Sequence, residues 1–302
     1  MVFGPLRGGT TLLRLMLDGH PGLSCIGESD YLFDHLSRTG AGWRYDRRAL
    51  AEDRIFRASG LPVPDAADGA VALHDLVRRI GRDGTLPVLM LHRHLEAAAT
   101  LLPEARILRL TRDPRDSARS AVGMGWAGNV FHGVESWTRT ERSWQAFEAG
   151  GHPNPVHRLR YEDLVAEPEA RLAELCDFVG VPYDPGLLAY PGTTTYDRPD
   201  ASLAFQWRRK QTPAELALVE HRLGPLLVQS GYEPSGHPPR APTRAERVRL
   251  GLQNRAAVWR FLIGRYGPVA PVLRGLGRRL RLDGLERLAQ GSMDKTAMRH
   301  LK

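Results

Sequence analysis

Lysine is almost missing from this chain of 302 residues: Lys210, Lys295 and Lys302 stand against 42 lysines and arginines together. Positive charge is therefore carried by guanidinium groups, planar forks of donors suited to phosphate and carboxylate. Cysteine is scarcer still, with Cys25 and Cys176 alone. Two distant thiols exclude a disulfide framework and have no metal-ligand spacing, so both read as small buried apolar groups in a reducing cytoplasm. No apolar run approaches the ~20 residues of a membrane-spanning helix. The opening residues lack the basic and long apolar regions of a secretory leader, so a cytoplasmic protein is expected. The first strand has room for about four residues before a glycine-rich loop; either the start is trimmed or the strand is short. There is no internal repeat.

That loop is the most informative feature present. Gly4-Pro5-Leu6-Arg7-Gly8-Gly9-Thr10-Thr11 follows the apolar Met1-Val2-Phe3 and runs into the helical Leu12-Leu13-Arg14-Leu15-Met16-Leu17. A glycine-rich turn between strand and helix lets backbone N–H groups converge on a phosphate, with the positive helix end behind them. The nucleotide-hydrolase pattern G-x-x-x-x-G-K-[ST] has a lysine where this chain has Thr10. Without that reach toward β- and γ-phosphates, the loop suits a 5′-phosphate better than a triphosphate. Arg7 adds a fixed charge inside the loop. A plain turn capped by Thr10 is the bland alternative, and the strand–helix context argues against it.

Apolar β-type segments alternate with helical ones, the pattern of an α/β protein with a parallel sheet. Strands are expected at 1–4, 23–27, 87–91, 106–111 and 157–161. Helices are expected at 10–18, 30–38, 48–58, 70–82, 94–102 and 135–148, with another opening at Asp113-Pro114. A helix from Glu162 restarts at Pro168, 190–205 reads as loop, and 213–230 as an amphipathic helix. Residues 236–242 read as a linker, followed by two helical stretches over 243–288 separated near 264–271. This predicts an α/β domain over 1–235, of the P-loop three-layer type with a central, mostly parallel sheet, and a helical extension over 236–302. From Arg240 onward there are 15 basic and 4 acidic residues, so the net +8 belongs to the tail. A basic tail suggests an acidic partner such as a membrane surface or nucleic acid; arginine-rich helices with no such partner are the plain alternative.

A second anion site is suggested by Arg112, at the end of the 106–111 strand, and Ser120 on the helix that follows, because ligand crevices of open α/β sheets lie at the carboxyl ends of strands. Arg115 and Arg119 read as surface ion-paired arginines. One loop for a 5′-phosphate, one site for a separate phosphate and no magnesium apparatus point away from ATP and toward 3′-phosphoadenylyl sulfate (PAPS).

With these motifs the chain resembles the PAPS-dependent sulfotransferases, in particular bacterial members similar to protein-tyrosine sulfotransferases. The resemblance rests on Gly4–Thr11 with Leu12 through Pro21, on Gly27-Glu28, on Arg112-Asp113-Pro114-Arg115 through Ser120, on Arg160-Tyr161-Glu162-Asp163-Leu164, on Trp207-Arg208-Arg209 and on Gly231-Tyr232-Glu233. It spans about residues 1–235 and excludes the tail. It implies that Arg7, Gly8, Gly9, Thr10 and Thr11 hold the 5′-phosphosulfate, with Arg7 also acting in catalysis. It further implies that Arg112 and Ser120 grip the 3′-phosphate, that Tyr161 lies near the adenosine, and that Glu28 is the base that takes the acceptor's proton. His20 is expected to cap a helix end rather than act as a second base. No metal is expected.

Two departures stand out. The family's usual loop serine is Gly8. The family lysine at the end of the 87–91 strand is matched by Met90, leaving Arg93, His92, His94 or Arg7 with Thr11 to supply its charge. The acceptor is expected to be a small-molecule, glycan or lipid hydroxyl, in a pocket lined by Ser29, Asp30, Tyr31, Phe33 and the stretch 126–137; nucleic acid is not expected. The tail is open to docking on the body, on a second copy as a homodimer, or on anionic lipid. A P-loop small-molecule kinase, a weakly active or non-catalytic PAPS-binding protein, and a membrane-surface scaffold are the alternatives.

Overall fold

The computed structural model describes residues 1–40, 42–192, 194–280 and 282–299, which form two compact units. The first comprises Met1–Ser117, Ser136–Lys210 and Pro225–Glu233; the second comprises Ala118–Glu135, Gln211–Gly224 and the chain from Pro234.

The first unit is built on strands β1 (Val2–Phe3), β2 (Leu23–Glu28), β5 (Leu86–Leu91), β6 (Ile107–Thr111) and β7 (Val156–Arg160), in the order β2-β5-β1-β6-β7. Every pairing among these five strands is parallel. The chain leaves β1 for the outer β2, returns to β5 beside β1, then crosses to β6 and β7. Connections therefore reverse about β1, the place where open α/β sheets hold ligands.

Side chains alternate across a strand, and the two faces carry separate cores. Val2, Met90, Leu108 and Leu110 point to one face, against α1 (Thr10–Asp18), α6 (Tyr161–Ala166) and α7 (Pro168–Val179). Phe3, Leu89, Leu91 and Ile107 point to the other, against α2 (Gly69–Ile80), α3 (Leu95–Leu101) and α5 (Glu135–Gly150). This is the helix–sheet–helix α/β architecture expected, with the five strands where the apolar pattern put them.

The helices depart from expectation in four places. The helix expected over 30–38 is a single turn, Tyr31–Asp34, and the chain turns into an antiparallel pair, β3 (Leu36–Thr39) with β4 (Gly42–Tyr45). The Tyr45 hydroxyl donates to the Leu32 carbonyl at 2.7 Å, holding the pair on that turn. The 48–58 helix is two, because the Asp53 carboxylate accepts from the N–H groups of Ile55 and Phe56 and starts a second helix. The 213–230 helix ends as α8 (Pro213–Leu223) at Gly224, whose φ of +56° breaks it before Pro225. The tail holds three helices rather than two: α9 (Arg244–Tyr266), α10 (Val269–Leu280) and α11 (Asp283–Arg299). A further helix, α4 (Pro114–Gly123), opens in the first unit and ends in the second.

Within the second unit α9 packs tightly on the stretch after α4. The Asn254 Oδ1 accepts from the Gly128 N–H at 2.7 Å, and Asn129 donates to the Leu250 carbonyl at 2.9 Å. A Cβ at Gly128 would lie 2.7 Å from the Asn254 Cα, so this approach needs glycine. The segment read as a linker is also tied down, by Arg240 N–H donating to the Ala217 carbonyl at 3.0 Å.

Buried charge holds the second core of the first unit. Arg109, 1 % exposed, pairs with Glu141 and lies over the rings of Phe3 and Trp144 at 5.4 and 5.0 Å. Burial pulls the guanidinium pKa down, and Glu141 pulls it back. Removing one partner strands the other charge in the core, so Glu141→Leu is expected to cost about 3–5 kcal/mol. Urea unfolding followed by tryptophan fluorescence checks this: the midpoint falls and the m-value stays the same.

Candidate active site

The glycine-rich loop leaves β1 at Phe3 and is pinned at its start by the Gly4 N–H donating to the Leu91 carbonyl at 3.2 Å. It then closes in a turn, Gly8 N–H to the Pro5 carbonyl at 2.8 Å. Arg7 has φ +66°, a left-handed conformation unusual for a non-glycine residue, and Gly9 at φ +96° leads into α1. The α1 N-terminus therefore faces the loop with its first N–H groups.

The loop is crowded from the side. A Cβ at Gly9 would lie 2.3 Å from the Tyr161 ring, so the backbone passes this closely only because it is glycine. The Arg112 guanidinium stacks on the other part of Tyr161, 4.1 Å from the ring centroid, and donates to the Arg7 carbonyl at 3.4 Å and the Leu203 carbonyl at 3.2 Å. The Arg112 Nε is buried with no hydrogen-bond partner among the described residues. Arg7 and Arg112 are close enough to repel: burial lowers the Arg7 pKa first, Arg112 lowers it further, and Tyr196 and Glu28 oppose this. Two guanidiniums, a nest of N–H groups and an orphaned buried donor make a pocket that fits an anion.

The backbone that carries Arg112 is held from three sides. The Trp137 indole donates to the Arg112 carbonyl at 2.9 Å, the Asp113 N–H donates to Glu162 at 2.9 Å, and the Tyr232 hydroxyl donates to the same carboxylate at 3.2 Å. Asp113 accepts from the Arg115 N–H and guanidinium and from the Trp207 indole. Asp116 accepts from the N–H groups of Gln206 and Trp207. Burial raises the pKa of Asp116 and of Glu162, with Asp113 adding to both. The Trp207 segment, Tyr232 and Glu162 are thus the supports of Arg112, a role that became visible only once β6, α6 and the 190–206 loop were brought together. Arg115 is ion-paired but fully buried, 3.6 Å over the Trp207 ring, and not on the surface as expected; Arg119 is exposed.

On the other side of the loop lie the ends of β2 and β5. Glu28 is the exposed last residue of β2, in register with Met90 and near enough to Arg7 and Arg93 to shift both. Ser29, Tyr31 and Phe33 are 0 to 2 % exposed: Tyr31 and Phe33 belong to the core and Ser29 accepts from the Met90 N–H, so they do not line an acceptor pocket. Trp137 is likewise core, at 1 %, while Trp126, at 49 % exposed, lies in the second unit. His20 accepts from the Gly22 N–H and contacts the Pro182 carbonyl at 2.8 Å, so it ties a turn to a distant loop rather than capping α1.

Met90, matched to the family lysine, is inside the sheet and 1 % exposed. The residue that reaches the loop is His92, the first beyond β5: its Nε2 is 3.2 Å from the Thr10 hydroxyl and its Nδ1 is 2.9 Å from Asp30. Arg93 and His94 turn instead to Asp34, whose Oδ1 lies 2.7 Å from Arg93 Nε and 2.8 Å from His94 Nε2. Burial would raise the Asp34 pKa, but these two partners outweigh it and hold it well below the usual carboxylate range. The site therefore gathers Arg7, Gly8, Gly9, Thr10, Thr11, Arg112 and Tyr161, with Glu28 at its edge and His92 added; Ser120 lies on α4 in the second unit. Among the described residues, no group of three or more His, Cys, Asp or Glu side chains is arranged to hold a metal ion.

Residues 1–185 match the family described as Sulfotransferase family. Protein-tyrosine sulfotransferase A of Caenorhabditis elegans is 22% identical over 263 residues, 78% of this chain and 67% of that protein. Protein-tyrosine sulfotransferase 1 of Danio rerio is 25% identical over 266 residues, 78% and 72%. Among solved structures, the sulfotransferase domain of the Synechococcus olefin synthase superposes with a TM-score of 0.54 at 23% identity, covering 74% of this chain and 93% of that one. The sulfotransferase domain from the curacin biosynthetic pathway gives 0.53 at 23%, covering 77% and 96%. With more than half its length matched to the family, and an α/β fold like that of the solved sulfotransferase domains, this chain belongs to the sulfotransferase family.

Proposed function

We propose that the protein transfers a sulfuryl group from PAPS to a hydroxyl acceptor. The observation that carries this reading is Arg112 reaching the phosphate loop, since a guanidinium beside a lysine-less loop suits a nucleotide with anionic groups at both ends of its ribose. The loop N–H groups from Gly8 to Thr11, with Arg7, bind the 5′ end; Arg112 binds the 3′-phosphate, and Tyr161 orients the nucleoside. Ser120 is assigned to the 3′-phosphate from the sequence motif alone. When bound, PAPS supplies an activated sulfuryl group. Glu28 accepts the proton of the attacking hydroxyl, and Arg7 stabilises negative charge that builds on the departing phosphate. The kinase alternative lacks support: Thr10 replaces the phosphate-reaching lysine, and the family is a sulfotransferase family.

The tail adds a second proposal. Leu252, Trp259 and Ile263 on α9 and Val269, Val272, Leu276 and Leu280 on α10 are 40 to 67 % exposed, on helices rich in arginine. Exposed apolar side chains set among basic ones suit the surface of an anionic membrane. No helix is long and apolar enough to cross one among the described residues. A cytoplasmic setting fits the two buried free thiols.

Adenosine 3′,5′-bisphosphate is expected to bind without magnesium, and Arg112→Ala to weaken it by about 10- to 100-fold, the loss of a charged hydrogen-bonding group; isothermal calorimetry reads both. Strong magnesium–ATP binding with none of the bisphosphate would reject the donor. Glu28→Gln is expected to lower kcat by about 10²- to 10⁴-fold and leave bisphosphate affinity unchanged. The acceptor needed for that assay comes from a labelled-PAPS screen of phenols, sugars, lipid-linked sugars and tyrosyl peptides. Full-length protein should co-sediment with phosphatidylserine vesicles and be released by salt, while a Leu252→Ser, Trp259→Ser, Leu276→Ser variant stays in the supernatant.

A further inference from the structure

The hydrogen bonds around His92 run in a fixed direction. Asp30 is an acceptor on every side: its Oδ1 takes the N–H groups of His92 and Arg93 at 2.9 and 3.1 Å, and its Oδ2 takes the His92 Nδ1 at 2.9 Å. The His92 Nδ1 must therefore carry the hydrogen of that bond. A neutral imidazole then has a bare Nε2, which accepts from the Thr10 hydroxyl at 3.2 Å. In that state the only hydrogen of the Thr10 hydroxyl is aimed at His92, away from the cradle in which Thr10 stands.

An anion in the cradle reverses the demand. To donate to the anion, the Thr10 hydroxyl must turn its hydrogen into the loop, and its oxygen then faces Nε2 as an acceptor. Two acceptors facing each other across a buried contact are unfavourable unless Nε2 gains a hydrogen. With Nδ1–H already committed to Asp30, that hydrogen makes His92 an imidazolium. We infer that His92 takes up a proton when the 5′ anion binds, so that the Asp30–His92–Thr10 chain places a positive charge at the strand end on demand. The inference rests on the PAPS reading and deepens it.

The charged groups around the ring allow this. Asp30 touches it directly and favours the imidazolium. Arg93 Nη1 lies 3.5 Å from Asp30 Oδ2, the same oxygen that takes the His92 Nδ1, and weakens that pull, but its main partner is Asp34, which His94 also contacts. Arg7 on the loop, Arg112 after β6 and Glu28 at the end of β2 are further charges at these strand ends, and of the two acting on Arg7, Arg112 lowers its pKa while Glu28 raises it. The bound anion adds the negative charge that tips the balance. Its effect has a definite sign: binding is strongest where the ring is already protonated, and weakens as pH rises past the point where the free protein loses that proton.

Calorimetric titration of the full chain with adenosine 3′,5′-bisphosphate, in buffers of different ionisation enthalpy, counts the protons taken up. Wild type is expected to take up close to one proton more than Thr10→Val at the same alkaline pH, with affinity falling by up to about tenfold per pH unit. Both proteins meet the same ligand, so the titration of its own phosphates cancels in the difference. His92→Lys is expected to remove the alkaline loss of affinity. Equal proton uptake in wild type and Thr10→Val, or parallel pH profiles, would overturn the inference while leaving the PAPS reading intact. Absence of any bisphosphate binding would remove both.

Discussion

The site depends on the register of one very short strand. β1 is two residues long, yet Val2 pairs with Met90 and Leu108, and Phe3 with Leu91 and Arg109. That pairing sets the ends of β1 and β5 level, with β6 running two residues further on the same side. The glycine-rich loop, His92 and Arg112 each follow immediately after one of these ends, so they meet at a single edge of the sheet. The alternation of Val2 and Phe3 between two cores holds this register, because a slip of one residue would put Phe3 into the wrong face.

What surrounds that edge is charge management. Guanidiniums gathered for an anion repel one another, and the fold answers by fixing them to surroundings that leave them little freedom. Arg112 is stacked on Tyr161, with its backbone clamped by Trp137 and Glu162. Arg115 is buried in a bidentate pair with Asp113. Such supports reduce the cost of organising the pocket when the ligand arrives, since little side-chain freedom remains to be lost. His92 differs from the arginines in kind: an imidazole, unlike a guanidinium, can gain or lose a proton near neutral pH.

Much of this was legible in the residue order. Glycines flanked by a strand and a helix marked the loop, and apolar segments of β-type marked all five parallel strands. The misreadings have local causes. His35 and the alternating residues after it ended a helix that composition alone would have continued, and Asp53 acted as a cap inside what read as one helix. Tyr31 and Phe33, aromatics beside a candidate base, looked like pocket lining but fill the core, because exposure depends on what packs above a residue and not on its neighbours in sequence.

The chain's order of residues was enough to determine a lysine-less anion loop, an α/β alternation and a basic helical tail, because each arises from neighbours a few positions apart. Which side chains serve the loop was decided only by tertiary structure. Thr10 and His92 are 82 residues apart, Asp30 and His92 62, and Arg7 and Arg112 105. Their meeting follows from strand order in the sheet, a property of long-range pairing and core packing that no local window of sequence contains.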